Sequence, residues 1–351
     1  MQTEGLVITG TAQRTAWVNN VYPPVEHVAE GVLSVPVVFP RHPMRYTLSY
    51  ILSDDSQCVV VDPGFDSDEG HRQLVKALAS LGIGPNEVTG VIATHHHIDH
   101  LGMARRVADQ AGAWIALGAD ERRYISAYKD EHSEVRLDQD RMRAWGVPDV
   151  TVPEVAITAR GLRRMRNLPD PDYRLADGQA LQLAGRDMRI MATPGHTPGH
   201  ICLWDDAAEL VLSGDHVLPR ITPNVSLAIR GETDPLRRNI DSLRRVALND
   251  HYEVCPAHEY RFRGLAQRAE ELERHSQERT REVHTALESG AASVYETARK
   301  LTWSRGWESL QHTSLRLALS ETAAHIQYLV TSGAHEGVPG LPPGKGDISS
   351  T

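Results

Sequence analysis

Four side chains of metal-binding type stand close together in this sequence. His95, His97, Asp99 and His100 form an H-x-H-x-D-H pattern directly after the apolar run Val91–Ala93. The run predicts a buried strand, so we expect the polar residues to lie on the loop at its end. Alternate residues of an extended loop point the same way, so the first two histidines can face one point and the other pair a second point nearby. Imidazole and carboxylate are the ligands of hydrolytic zinc or manganese sites, so the pattern predicts a metal site rather than a histidine-rich surface loop.

The stretch from Thr94 to Gly102 resembles the first motif of the metallo-β-lactamase superfamily, T-H-x-H-x-D-H-x-G. Later segments resemble the other metal motifs of that family in the same order: 193–200 with His196, 213–215 with Asp215, and 256–258 with His258. The segment 59–64 resembles the strand and turn before the first motif. The resemblance implies an α/β fold, an αββα sandwich, with a small, mostly helical C-terminal domain. It is less specific for the substrate, because one scaffold carries many chemistries.

The resemblance also implies two divalent metal ions, and this sequence has a matching residue at every ligand position. His95, His97 and His196 would bind the first ion, Asp99, His100 and His258 the second, and Asp215 would bridge the two. A hydroxide bridging the metals would then attack the substrate, since two cations draw down the pKa of a shared water. These ligands suit zinc, iron and manganese alike. We expect zinc, with iron and manganese as the alternatives.

Polar neighbours of the motifs have weaker predicted roles. Asp99 and His216 are the predicted catalytic residues, the latter as proton donor or oxyanion partner. Asp62 is either an acceptor that fixes the tautomer of a ligand imidazole or a turn carboxylate. His200 is expected to be a structural hydrogen-bonding residue, and His96 is expected to point away from the metals. Three further residues could touch substrate, although nothing in the sequence orients them: Arg220, Asn224 and Tyr260.

Composition limits the class of protein. The chain has 351 residues, 40% of them hydrophobic, which is enough for one large core and a smaller domain. Its net charge of −9 disfavours nucleic acid or an anionic membrane as partner. The dispersed cysteines Cys58, Cys202 and Cys255 each stand in an apolar run and predict buried thiols in a reducing compartment. With no apparent secretory signal and no membrane-length apolar run, we expect the cytoplasm.

Hydrophobic periodicity predicts the elements that carry the motifs. Predicted strands cover 31–39, 47–53, 57–61, 88–93, 113–117, 173–183 with a turn at 177–178, and 188–192, followed by a hairpin over 201–205 and 209–213. Amphipathic helices are predicted over 66–81, 102–111 and 234–248. The segment 252–255 is predicted to be the last strand of the core, and residues 1–27 have no clear pattern.

Three segments make up the predicted domain organisation. Residues 1–263 form the catalytic domain, in which 119–172 is a helical insertion, predicted as a lid over the metals or, alternatively, as an external decoration. Residues 264–335 resemble a small winged-helix-like domain. This segment is not basic, so we expect packing or homodimerisation rather than nucleic-acid binding. Residues 336–351 are rich in Gly, Pro and Ser and predict a flexible tail.

The leading functional prediction is a metal-dependent hydrolase acting on a carbonyl centre, with a thioester, ester or lactone of a small acid as substrate. The alternative is a phosphodiesterase or ribonuclease, for which the arginines at 160, 163, 164 and 166 would build the basic groove. A di-iron redox protein is disfavoured because no flavin-binding domain follows the core. The absence of an apparent export signal argues against a β-lactamase, and the filled ligand positions argue against a non-catalytic member.

Overall fold

The structure, a computed structural model, describes residues 5–121, 131–227 and 233–342. Tyr124 and Tyr128, which belong to the predicted lid, lie outside the described residues. Contacts divide the chain into two compact units. The first comprises 1–125, 167–223 and 242–270, and the second comprises 126–166, 224–241 and 271–351. The insertion and the C-terminal region, predicted as separate segments, therefore fall largely into one unit.

One sheet of the first unit contains seven strands in chain order. They are β2 (Glu26–Ala29), β3 (Val32–Val38), β4 (Tyr46–Ser53), β5 (Cys58–Val61), β6 (Gly90–Ala93), β7 (Trp114–Gly118) and β8 (Tyr173–Leu175). Strands β5 to β8 are parallel. The apolar runs of β5 and β6 are fully buried, as expected of parallel strands that are covered on both faces.

The other sheet has the order β1-β14-β13-β12-β11-β10-β9. Its strands are β1 (Val7–Ile8), β9 (Ala180–Leu183), β10 (Arg186–Ala192), β11 (Ile201–Asp205), β12 (Leu210–Gly214), β13 (Glu253–Pro256) and β14 (Phe262–Arg263). The hairpin of β11 and β12 confirms the prediction for 201–213. Strands β12 and β13 are parallel.

The two sheets enclose one apolar core, to which Tyr50, Ile92, Leu203 and Leu212 contribute. A second core lies on the outer face of the first sheet, beneath α2 (Asp68–Ser80) and α3 (Ala104–Ala111). The layered α/β fold is thus confirmed. The three cysteines are free and buried, as predicted.

Two predictions for the sheet margins were incomplete or wrong. The N-terminal segment contains α1 (Thr11–Val18), whose inward residues are Gln13 and Ala16, so it has no apolar stripe to reveal it. The strand β13 is not the last of the core, because the chain reverses at Glu259, which has a φ of +69°. Residue Phe262 of β14 then pairs with Val254. A two-residue strand has no periodicity from which to predict it.

The helices outside the sandwich begin with α4 (Glu131–Ala144), α5 (Val152–Val155) and α6 (Ala159–Arg166). They continue with α7 (Pro235–Ala247), α8 (Leu265–Glu288), α9 (Val294–Lys300) and α10 (His312–Thr331), with a 3₁₀ turn at Trp307–Ser309. In the core of the second unit, Met142 and Trp145 from the insertion pack with Val283 and Leu319 from the C-terminal helices. The described residues of 264–335 contain helices and no strand that could form a wing.

Part of the predicted tail is packed. Val338 and Leu341 lie against the core of the second unit, and the Trp145 indole N–H donates to the Gly340 carbonyl at 3.2 Å. Residues 343–351 lie outside the described residues. The part of the chain that the structure describes has no helix both long and apolar enough to span a bilayer.

Candidate metal centre

The metal-binding side chains lie where parallel strands end. Asp62 follows β5 and the His95–His100 loop follows β6, while Asp215 follows β12 and His258 follows β13. Each of these strand pairs is parallel. The carboxyl ends of a parallel pair meet at one edge, which is where open α/β sheets bind ligands. The topology therefore delivers residues that are distant in sequence to a single place.

One trio consists of His95, His97 and His196, whose ligand atoms lie within 4.8 Å of one another. The His97 Nδ1 atom is 2.9 Å from His95 Nε2 and 3.1 Å from His196 Nε2. A zinc ion bound to nitrogen at 2.0–2.1 Å would set the edges of its tetrahedron at roughly 3.3 Å. The three nitrogens thus converge at about the spacing that such an ion requires.

A second trio consists of Asp99, His100 and His258. The Asp99 Oδ2 atom lies 3.8 Å from His100 Nε2 and 3.5 Å from His258 Nε2. This set offers two nitrogens and a carboxylate, which suit zinc, iron and manganese.

Asp215 lies beside both trios. Its Oδ2 is 3.5 Å from Nε2 of His196 and also 3.5 Å from Nε2 of His100, and its Oδ1 is 3.3 Å from His258 Nε2. A carboxylate in this position can bind a cation through each oxygen. The seven residues predicted as ligands are therefore brought together in the arrangement that the motifs implied.

The donor set fits divalent metal ions. Within the described residues, the buried His100 Nε2 and Asp215 Oδ1 have no hydrogen-bond partner. Buried polar atoms rarely stay unpaired, because losing water without a replacement is costly. Both atoms face the trios, so a cation there would supply the missing interaction.

Electrostatics distinguish the two trios. Burial lowers the pKa of His95 and His97 well below the ordinary value, and the neighbouring imidazoles lower it further, so both rings keep free lone pairs. Burial would also lower the pKa of His100 and His258, but the neighbouring carboxylates, Asp215 foremost and Asp99 with it, together outweigh burial and raise the pKa of both. A cation binding to the second trio therefore replaces protons.

The carboxylates of the site are ionised. Burial alone would raise the pKa of Asp99, but His100 and His258 lower it far below the ordinary value. The pKa of Asp215 is likewise lowered by His258 and His100 against the effect of burial.

Asp62 fixes the orientation of His100. Its Oδ2 accepts hydrogen bonds from His100 Nδ1 at 2.9 Å and from the Thr94 hydroxyl at 2.8 Å, and its Oδ1 accepts from the Thr94 N–H at 2.7 Å. The first bond keeps a proton on His100 Nδ1, so Nε2 is the nitrogen that gives up its proton when a metal binds. Of the two roles considered for Asp62, its contacts favour the acceptor for a ligand imidazole.

Two other contacts orient the ligands on the opposite side. His258 Nδ1 donates to the Tyr46 carbonyl at 3.0 Å, which directs Nε2 towards the carboxylates. His200 Nε2 accepts the Asp215 N–H at 3.2 Å, so its predicted structural role is confirmed. Gly214 has a φ of +51°, and a Cβ there would lie 2.7 Å from His200 Nε2.

His216 lies inside the protein. Its side chain is 1% exposed and its ring centroid is 6.0 Å from that of His200. Burial lowers its pKa to about 4. No contact described for this ring joins it to the ligand atoms, and its role as proton donor stays a prediction.

The residues suggested for substrate contact have structural partners. Arg220 Nε donates to Glu259 Oε1 at 3.0 Å, and the Asn224 amide donates to Glu321 Oε2 at 3.3 Å. Tyr260 is buried, with 3% of its surface exposed.

Glu121 is a functional candidate that the sequence did not reveal. Its carboxylate is fully buried and contacts His96, Thr197 and Gly199. These partners are 25, 76 and 78 residues away in sequence, and no motif links them. His96, predicted to point away from the metals, is turned towards this carboxylate.

The family comparison agrees with this geometry. The sequence model of the metallo-beta-lactamase superfamily matches residues 43–258. A solved metallo-beta-lactamase family protein of Thermus thermophilus is 27% identical to this chain. The match covers 90% of this chain and 98% of that one, with a TM-score of 0.76.

Two curated relatives extend the comparison. A probable metallo-hydrolase of Bacillus subtilis is 26% identical over 290 residues, which cover 80% of this chain and 86% of the relative. A hydroxyacylglutathione hydrolase of Haemophilus influenzae is 25% identical over 221 residues, which cover 63% and 89% of the two chains.

Proposed function

This chain belongs to the metallo-β-lactamase superfamily, and we propose that it is a dinuclear metal-dependent hydrolase of a small acid's thioester, ester or lactone. The observation that carries the proposal is the pair of trios with Asp215 beside both. We propose zinc as the metal, with iron or manganese as alternatives. Two divalent cations held by these residues would lower the pKa of water, polarise the scissile carbonyl and stabilise the charge that develops on it.

The chain's own residues prepare the site for this chemistry. His95 and His97 keep their lone pairs free, since burial and neighbouring imidazoles hold them neutral. Asp62 and the Tyr46 carbonyl each hold a proton on Nδ1 of a ligand imidazole, at His100 and His258. Ionised Asp99 and Asp215 supply negative charge between the nitrogens. Rigid supports of this kind reduce the reorganisation that accompanies the reaction.

The choice of a carbonyl centre over a phosphodiester has two supports. One relative is named a hydroxyacylglutathione hydrolase, and hydroxyacylglutathione is a thioester. The net charge of −9 disfavours binding of a long polyanion.

A hydrolysis screen of the purified, metal-analysed protein tests the proposal. Short acyl thioesters, aryl esters and lactones are compared with bis-(p-nitrophenyl) phosphate and a short RNA. The negative control is the double variant Asp99→Ala, His100→Ala. The matched control is Asp205→Asn, which alters a buried carboxylate at the far end of β11 that pairs with Arg186 and accepts the Ala208 N–H.

The expected result is that the wild type and Asp205→Asn hydrolyse the carbonyl substrates and the double variant does not. Turnover of the phosphodiesters alone would overturn the carbonyl assignment and make the α6 arginines the next targets. Activity that survives in the double variant would contradict catalysis at this site.

A further inference from the structure

The buried carboxylate of Glu121 connects the two loops that supply the all-histidine trio. Its Oε1 accepts the Gly199 N–H at 2.9 Å and a hydrogen bond from the Thr197 hydroxyl, and its Oε2 pairs with His96 Nδ1. His96 stands between the ligands His95 and His97, and Thr197 directly follows the ligand His196. One carboxylate therefore binds His96, which is next to two of the ligands in the sequence, and Thr197, which is next to the third.

The backbones around Glu121 are in close contact as well. A Cβ on Gly199 would lie 2.4 Å from the Glu121 backbone nitrogen. A Cβ on Gly118, at the end of β7, would lie 1.9 Å from the Gly199 carbonyl oxygen. Because neither position has room for a larger residue, the 196–200 loop is fixed against the end of β7, and Glu121 is held in place opposite it.

The charge of Glu121 is balanced inside the protein. Burial alone would raise the pKa of this carboxyl, but His96 and the hydrogen bonds from Thr197 and Gly199 lower it. Glu121 touches none of the seven ligand atoms in its described hydrogen bonds. It can act on the metal centre only through the position of its partners.

We propose that Glu121 is a positioning residue for the trio of His95, His97 and His196. Its carboxylate holds the two loops together so that the three nitrogens converge before a metal ion binds. Loss of such an outer partner typically weakens metal affinity by roughly 10- to 100-fold. The inference rests on the metal binding in the proposed function and is independent of the substrate.

Metal titration of the full chain tests this role. Glu121→Ala removes all three interactions, whereas Glu121→Gln keeps an oxygen for Thr197 and Gly199. Zn²⁺ affinity is measured by competition with a chromophoric chelator, and the absorption spectrum of the Co²⁺ form reports the geometry of each site. Asp205→Asn, with its remote buried carboxylate, controls for a general loss of stability.

The expected result is that Glu121→Ala binds one of two metal ions roughly 10- to 100-fold more weakly and changes the Co²⁺ spectrum. Glu121→Gln should recover part of the loss, and Asp205→Asn should match the wild type. Wild-type affinity and spectrum in Glu121→Ala would overturn the inference alone. A wild-type protein that binds no divalent metal would overturn the proposed function too.

A second pair of variants serves if Glu121→Ala does not fold. Thr197→Val keeps the shape of the side chain and removes one donor to Glu121, whereas Thr197→Ser keeps the hydroxyl. Weaker metal binding in the valine variant, with recovery in the serine variant, is expected. Equal affinities in both would contradict a positioning role.

Discussion

At the scale of the residue, the orientation of a ligand depends on the atom behind it. Asp62 illustrates this, because its Oδ2 accepts both the His100 Nδ1–H and the Thr94 hydroxyl. Its φ of +51° lies in the left-handed region, which asparagine and aspartate tolerate better than most residues. Asparagine at this position therefore changes the hydrogen bonds and preserves the backbone.

We expect Asp62→Asn to weaken binding of one metal ion by roughly 10- to 100-fold. If the amide nitrogen replaces Oδ2, it faces His100 Nδ1 as a donor and favours the tautomer with its proton on Nε2. That proton then occupies the position of the metal. Competition with a chelator measures the effect, and Asp205→Asn is the control. Unchanged affinity would show that Asp62 does not set the tautomer of His100.

The metal ligands were predictable because each stands in a short motif that requires it. His95, His97, Asp99 and His100 are consecutive or nearly so, and their chemistry is visible from spacing alone. Glu121 was not predictable, since its neighbours in the sequence are charged residues without a motif and it meets its partners only after the sheets have formed. A residue that acts through long-range contacts leaves no local pattern.

At the scale of the element, predictions succeeded where burial is periodic and failed where it is not. Strands β3 to β6 alternate or run apolar along their whole length and were found within a few residues. Helix α1 was missed because a hydrogen-bonded glutamine takes the place of an apolar core residue. Gln13 donates to Ser34 Oγ at 3.0 Å and accepts the Arg261 N–H at 3.0 Å.

A buried carboxylate also joins elements of the second unit. Asp138 on α4 is fully buried and accepts hydrogen bonds from Arg141, from the Ile157 N–H at 2.6 Å, and from Arg316 on α10. Burial would raise the pKa of Asp138, but Arg316, Arg141 and the Ile157 N–H together outweigh burial and lower the pKa. Its charge is therefore stabilised by groups on several elements at once.

We expect Asp138→Asn to destabilise the protein by about 3–5 kcal/mol, because it breaks an ion pair whose carboxylate is fully buried and leaves the partly buried Arg316 guanidinium without its counter-charge. Urea denaturation measures the change. The variants Arg316→Met and Asp138→Asn with Arg316→Met complete a double-mutant cycle, in which the double variant should lose less than the sum of the single ones. Additive losses would contradict direct coupling between the two side chains.

At the scale of the whole molecule, pH and metal should act on different groups. In the second unit, His325 is buried, and burial, with Arg279 and His275, lowers its pKa to about 3. Its Nδ1–H donates to the Thr280 hydroxyl at 2.8 Å, which in turn donates to the Ser276 carbonyl. The folded protein therefore holds this ring neutral.

We expect acid to destabilise the protein partly through His325. The unfolded chain binds a proton near pH 6.5, whereas the folded one does so only near pH 3. Stability contributed by the neutral ring is therefore complete above pH 6.5 and is lost as the pH falls towards 3. At pH 5 the loss is about 2 kcal/mol. His325→Asn keeps a hydrogen-bond donor that does not titrate. Between pH 7 and pH 5, the free energy of unfolding of this variant should therefore fall by about 2 kcal/mol less than that of the wild type. Equal losses in both proteins, measured by urea denaturation, would contradict this assignment.

Removal of metal should act on the first unit, where the ligand atoms lie. Without a cation, two buried atoms of the site, His100 Nε2 and Asp215 Oδ1, have no hydrogen-bond partner in the described part of the chain. A ligand present at 100 times its Kd stabilises the folded state by about 2.7 kcal/mol. For a domain of this size, that corresponds to roughly 5–10 °C in Tm.

We therefore expect a chelator to lower the Tm of the wild type by about that amount and re-added Zn²⁺ to restore it. The double variant Asp99→Ala, His100→Ala has lost two ligands, so its Tm should respond less to either treatment. Differential scanning calorimetry measures the Tm of the wild type and of the double variant, each with chelator and after Zn²⁺ is added back. The control Asp205→Asn should respond like the wild type. A wild-type Tm that stays constant while analysis confirms that the metal has been removed would mean that the ligand loops are held in place without it. The loops would then be fixed by contacts such as those of Asp62 and Glu121 alone.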